Sequence, residues 1–220
     1  EGIGLELAEG FVIRAGQDIA EREADLDMFA DLGARKVAAV TMEADPARAV
    51  HQLFTLFAMA EPRGLEVAYE FAPPHTFNSL KAVCEVIKAS NAKNVGLLID
   101  AMHYFRCGET VSELKRVYSN ISYVQLSDTT LHGNTEDYYK EASFRRLAPG
   151  QGELDLVGLL ASVPSDVPIG LEIPMQDRLS NEHHLEQLVE QLVADTKAYL
   201  SKFPVRLGLP LISSSVHGSE

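Results

Sequence analysis

Residues 94–128 read NVGLLIDAMHYFRCGETVSELKRVYSNISYVQLSD, and the order of patterns inside this stretch decides the fold. NVGLLID (94–100) is an apolar run of strand length that closes on an acid. TVSELKRVY (110–118) has helical character, and ISYVQLSD (121–128) is a second apolar run. Strand, helix and strand in that order predict a parallel pair joined by a right-handed crossover. The same alternation extends in both directions. Strands are predicted over 3–15, 37–42, 65–71, 94–100, 121–128 and 169–174, and helices over 18–34, 45–60, 79–90, 110–118, 153–163 and 181–203. Asp45-Pro46 supplies a helix start, and Gly33 a helix stop. Between the strand predicted over 121–128 and the helix predicted over 153–163, residues 129–152 form a polar stretch without strong periodicity, of a length usually reserved for a functional loop or lid.

Two architectures produce this alternation, an open doubly wound sheet and a closed (β/α)8 TIM barrel. The first normally carries a Gly-rich phosphate loop after an early strand, and neither GxGxxG nor GxxxxGK[ST] occurs. The α/β barrel is therefore expected. An eight-stranded barrel typically takes about 250 residues, whereas this chain has 220 and six predicted strands. The expectation is a TIM barrel lacking its first two β/α units, with 1–203 as one domain and 204–220 as a C-terminal tail. Either a longer chain or a partner subunit would cover the open edge, which makes a homo-oligomer an expectation too.

Composition narrows the function. The chain is 46% apolar and 23% charged, with a formal net charge of −13. That charge repels phosphate backbones and argues against nucleic acid as a partner. No apolar run approaches the roughly 18–20 residues that span a bilayer. Two cysteines, Cys84 and Cys107, are too few for a disulfide framework, and no leader-like segment is evident, so a cytoplasmic protein acting on a small molecule is expected.

The most informative residues are polar groups that close apolar strands: Glu70 after LEVAY, Asp100 after VGLLI, Gln125 in ISYVQ and Glu172 after IGL. One acid at a strand end is commonly the cap of the next helix. Four polar ends in register are different, because the carboxyl ends of barrel strands form the rim that carries chemistry. Carboxylates gathered there would repel one another unless a cation held them. The set Glu70, Asp100, Gln125 and Glu172 is therefore a candidate metal site. Its all-oxygen donors favour Mn2+ first, with Mg2+, Co2+ or Zn2+ as alternatives.

VAYEF, GLLIDAMHYFRCG, YVQLSD, RRLAPGQGELDL and IGLEIP, in that order, resemble the xylose isomerase-like TIM-barrel superfamily of sugar-phosphate isomerases and epimerases. Tagatose-type epimerases, inosose dehydratases and 3-dehydroshikimate dehydratases also belong to it. The resemblance covers roughly 1–200. It is carried by the Asp-x-x-His pair Asp100 and His103, then Arg106 and Gly108, Gln125 and Asp128, and Arg146 with Pro149-Gly150-x-Gly152. It implies a metal on Glu70, Asp100, the position of Gln125, and Glu172. Many epimerases have His where Gln125 stands, whereas some 3-dehydroshikimate dehydratases are similar to this chain there.

The implied activity is a metal-dependent isomerase or epimerase working through an enediolate. Glu70 and Glu172 would exchange protons on its two faces, and His103 would orient or protonate a substrate oxygen. Arg106 and Arg146 suit a carboxylate or phosphate, or else pair with surplus acids, and His75 lies close enough in sequence to reach the pocket. Asp128 reads as a supporting partner or a helix cap. Cys107 reads as packing, His51 as a helix-face residue, and His183 and His184 as surface or capping residues. A lyase of the dehydratase type and a non-catalytic binding barrel remain as alternatives.

Overall fold

The computed structural model describes residues 5–133, 138–174 and 185–202. Six strands, β1 (Leu7–Ile13), β2 (Lys36–Thr41), β3 (Glu66–Tyr69), β4 (Val95–Asp100), β5 (Ile121–Leu126) and β6 (Ile169–Leu171), lie in sequence order. All five neighbouring pairs are parallel. This is the expected α/β arrangement, six strands of a TIM-type barrel. Among the described residues β1 and β6 each have a single neighbour, so the sheet does not close.

The helices are α1 (Glu23–Asp31), α2 (Pro46–Ala60), α3 (Leu80–Ser90), α4 (Ala101–Arg106), α5 (Val111–Leu114), α6 (Tyr138–Phe144), α7 (Leu156–Leu160) and α8 (Leu185–Leu200). Asp45 starts α2 by accepting from the amides of Ala47 and Arg48 at 2.8 and 3.2 Å, with Pro46 in the first turn. Ser79 caps α3 on the amide of Ala82. The predicted helix over 18–34 begins as a 3-10 turn, Ile19–Arg22, before α1. The one predicted over 110–118 is a single α turn, then a 3-10 turn at Tyr118–Asn120, where Ser119 and Asn120 prefer turn geometry. His183, His184 and the tail 204–220 lie outside the described residues.

The strands separate two layers because successive side chains point to opposite faces. Val37, Ala39, Val67, Tyr69, Leu97, Ile99, Val124 and Leu126 face the helices and join Leu53, Leu56, Phe57, Val83 and Leu159 in the main core. Ala38, Ala68 and Leu98 form a separate cluster with Leu7 and Tyr123 on the concave face. Two residues further along each strand, the concave face reaches Glu70, Asp100 and Gln125, and Glu172 occupies the equivalent place two residues beyond Gly170. The register puts Asp100 directly opposite Gln125, but the four ends expected in register are staggered: Tyr69 pairs with Leu97, which leaves Glu70 two residues short of Asp100, and Gln125 pairs with Gly170, which leaves Glu172 two residues beyond it. Strand alternation thus puts Glu70, Asp100, Gln125 and Glu172 on one face of the sheet.

Candidate functional site

Asp100 ends β4 and is buried. One carboxylate oxygen accepts the amide of His103 at 2.8 Å and thereby starts α4. The other accepts from Arg146 Nη1 at 2.5 Å. Burial pushes this carboxyl up, while Arg146 and then His103 pull it down further, so Asp100 lies below the ordinary carboxylate range. The three-residue spacing is a consequence of the cap: a short helix launched from Asp100 turns His103 back over the strand end.

His103 is buried as well, and burial lowers its imidazole to about 4 in spite of Asp100. Its Nε2 lies 3.5 Å from Glu70 Oε1 and 3.3 Å from Arg146 Nη2, and its Nδ1 lies 2.5 Å from the Tyr138 hydroxyl. Glu70, Asp100 and His103 each bring one ligand-capable atom within 4.8 Å of the others. This grouping takes in His103, which the strand-end reading did not include among the ligands, and does not take in Glu172.

Arg146 connects the remaining acid. Its guanidinium, 2% exposed, donates to Asp100 and reaches Ser127 Oγ at 3.4 Å, the Glu172 carbonyl at 3.4 Å and Glu172 Oε1 at 3.5 Å, while Nε donates to the Ala142 carbonyl at 2.8 Å. Burial alone would lower it, but Asp100, Glu172 and Glu70 hold it well above its ordinary value. Arg146 is therefore a fixed positive charge among three acids. Gln125, buried opposite Asp100, adds a neutral amide at the same height.

Arg106 is placed elsewhere. It pairs with Glu141 at 2.5 Å and donates to the Thr130 carbonyl and Thr129 Oγ, tying α6 to the segment after β5. Arg106 also helps line a cleft of about 500 Å³ with Pro73, Pro74, Leu131, His132 and Tyr138. His75 lies on the loop after β3, where burial lowers its imidazole to about 4. Asp128 staples the Pro149–Gly152 segment, accepting amides of Thr129, Gly150 and Leu154 at 2.9, 2.9 and 3.1 Å. Gly152 is required there, because a Cβ would come within 2.3 Å of the Asp128 carboxylate. Cys107 has its thiol pushed up to about 12 by burial and Glu109, which suits packing rather than nucleophilic work.

Tyr138 and Ser127 were not singled out by the sequence. Ser127 follows the strand-end pattern by only two residues. Tyr138 had one signal, its place inside the long polar stretch 129–152. Among the described residues no helix is long and apolar enough to cross a membrane.

A parallel barrel sheet whose strand ends gather a buried aspartate, two half-buried glutamates, a histidine and an arginine defines an α/β-barrel protein with a polar centre at the carboxyl rim. The family model described as xylose isomerase-like TIM barrel matches residues 14–194, and the chain belongs to that family. The inosose isomerase of Bacillus subtilis is 29% identical over 164 residues, covering 69% of this chain and 56% of that protein. The 3-dehydroshikimate dehydratase of Pseudomonas aeruginosa is 27% identical over 170 residues, covering 73% of this chain and 26% of that protein. The chain thus spans little more than half the length of the inosose isomerase. Among solved structures, the IolI protein with a bound zinc atom has the same fold, with a TM-score of 0.71, 23% identity and coverage of 90% of this chain and 78% of that one.

Proposed function

We propose that this chain contributes the reactive centre of a divalent-metal-dependent isomerase or epimerase acting on a small keto sugar or hydroxy-ketone in the cytoplasm. The observation that carries the reading is the convergence of half-buried Glu70 with buried Asp100 and His103 within 4.8 Å, which brings two carboxylates and an imidazole together at the end of the sheet. The likeness to inosose isomerase supports the substrate class.

The donors suit a divalent cation. Glu70, Asp100, Gln125 and Glu172 would hold it, with His103 beside the site as a proton donor, and this all-oxygen set admits Mn2+ first, then Mg2+, Co2+ or Zn2+. The zinc of the IolI protein supports that range. A cation there supplies positive charge that polarises a substrate carbonyl and acidifies its neighbouring C–H.

The chain's own groups do the rest. Glu70 and Glu172 follow β3 and β6 directly, at opposite ends of the candidate site, and would take and return the proton on the two faces of the substrate. His103 donates to a substrate oxygen. Arg146, whose planar fork suits anions, orients an oxyanion once its contacts with the acids are shared with substrate. Arg106, through Glu141, shapes the adjoining cleft.

A second reading, loss of water from a hydroxy-keto acid, draws support from the dehydratase relative and from Gln125 in place of the imidazole common in epimerases. Incubation of Mn2+-loaded protein in deuterium oxide with inososes and keto sugars, followed by NMR, separates the two. The isomerase reading expects deuterium beside the carbonyl. The lyase reading expects rising aromatic absorbance with 3-dehydroshikimate and no exchange into sugars. Neither signal from a metal-saturated protein would reject both.

A further inference from the structure

The short polar contact on His103 involves a residue outside the strand-end set. Tyr138, buried at the start of α6, places its hydroxyl 2.5 Å from His103 Nδ1. The two rings also stack obliquely, with centroids 5.8 Å apart and planes inclined by 38°. A neutral imidazole carries one proton, and which nitrogen bears it is set by the partner of the other.

At Nε2 the two neighbours disagree. Arg146 Nη2, at 3.3 Å, can only donate and would make Nε2 an acceptor. Glu70 Oε1, at 3.5 Å, can only accept from it and would make Nε2 a donor. Both contacts are long, so the short one at Nδ1 decides. Between a phenol and a neutral imidazole, the phenol is the better donor and the ring nitrogen the better acceptor. We infer that Tyr138 is a positioning residue that donates to His103 Nδ1 and thereby holds the Nε2–H tautomer, aiming a proton donor at Glu70 and the reacting centre.

Two further facts agree. Burial, with Asp100 and Cys107 nearby, pushes the Tyr138 phenol well above its ordinary value, which keeps its proton in place. Asp100 Oδ1 lies 3.7 Å from Nδ1 and is already engaged by the His103 amide, leaving Tyr138 as the close partner of that nitrogen. The functional consequence rests on the proposed acid-base reading, since it makes His103 a donor to substrate oxygen. The tautomer itself does not.

The test is ¹⁵N NMR of the full chain with labelled histidine, metal-free and near neutral pH, with the His103 signals assigned from His103→Gln. The expected wild-type spectrum shows protonated Nε2 and accepting Nδ1. Tyr138→Phe, which keeps the ring, is expected to move His103 toward the Nδ1–H form, with Nε2 accepting from Arg146. Should that variant unfold, 3-fluorotyrosine at position 138, a stronger donor of nearly the same size, is expected to shift the Nδ1 resonance while Nε2 stays protonated. A wild-type His103 protonated on Nδ1, or a His103 spectrum indifferent to both changes, would overturn the inference. With a turned-over substrate, Tyr138→Phe is expected to lower kcat about 10-fold with Mn2+ affinity unchanged. Absence of turnover in the wild type would reject the proposed reaction and leave the NMR result standing.

Discussion

The concave face of the sheet carries charged groups at both ends, and the two ends behave differently. At the amino end, Lys36 on β2 bridges Glu6 and Glu66 at 3.2 and 3.3 Å, with both acid side chains one-third exposed. About 13 Å further along the strands, Asp100 and Arg146 pair at 2.5 Å with side chains 0% and 2% exposed. Lys36 itself is 13% exposed, but its two acids keep part of their water, so this pairing is the weaker constraint. The carboxyl-end charges have exchanged water for one another, and each is costly to leave alone. The difference shows where the fold has concentrated unfavourable burial, which is the expected signature of a site kept for chemistry rather than stability.

Breaking the buried pair gives the largest expected effect. Arg146→Met leaves Asp100 buried beside Glu70 without its cation and is expected to lower unfolding free energy by about 4 kcal/mol, measured by urea denaturation. Asp128→Ala comes next, because the amides of Thr129, Gly150 and Leu154 lose one shared acceptor. The expected cost is about 3 kcal/mol, with increased hydrogen exchange in the Pro149–Gly152 segment as a local readout.

A smaller effect is pH-dependent. His75 has a folded value of about 4 against 6.5 for the free side chain. Between those values the unfolded chain binds more protons than the folded one, so stability is full above about pH 6.5 and falls as pH drops toward 4. His75→Asn is expected to flatten that slope, removing on the order of 2 to 3 kcal/mol of acid sensitivity. Lys36→Met marks the other side of the comparison, with an expected change below about 1 kcal/mol. A loss as large as that of Arg146→Met would erase the contrast between the two ends.

The strand ends were legible because an apolar run that stops on an acid marks both the end of the strand and the side it faces. The sequence therefore places Glu70 and Asp100 on one rim. The two helices that escaped the sequence explain what was not legible. In α4, four of six residues are buried, so AMHYFR shows no polar face and no helical period. In α6, by contrast, only Tyr138 is buried, so there is no apolar stripe to read. Tyr138 owes its place to the packing of α6 over His103, a long-range contact that local pattern does not encode. The two arginines were equivalent on paper for the same reason. Glu141, on the unread helix, holds Arg106, while Arg146 turns inward to Asp100.

A metal centre at the carboxyl end of the sheet is tested most directly by titrating Co2+ into the purified chain and following the visible d–d absorption together with calorimetry, for the wild type, Asp100→Asn and Lys36→Met. Asparagine still caps α4 but lacks the charge. One Co2+ bound per wild-type chain, affinity reduced on the order of 100-fold in Asp100→Asn, and binding unaltered in Lys36→Met are the predicted results. Equal Co2+ affinity in the wild type and Asp100→Asn, or loss of binding in Lys36→Met, would contradict a metal centre at the carboxyl end of the sheet.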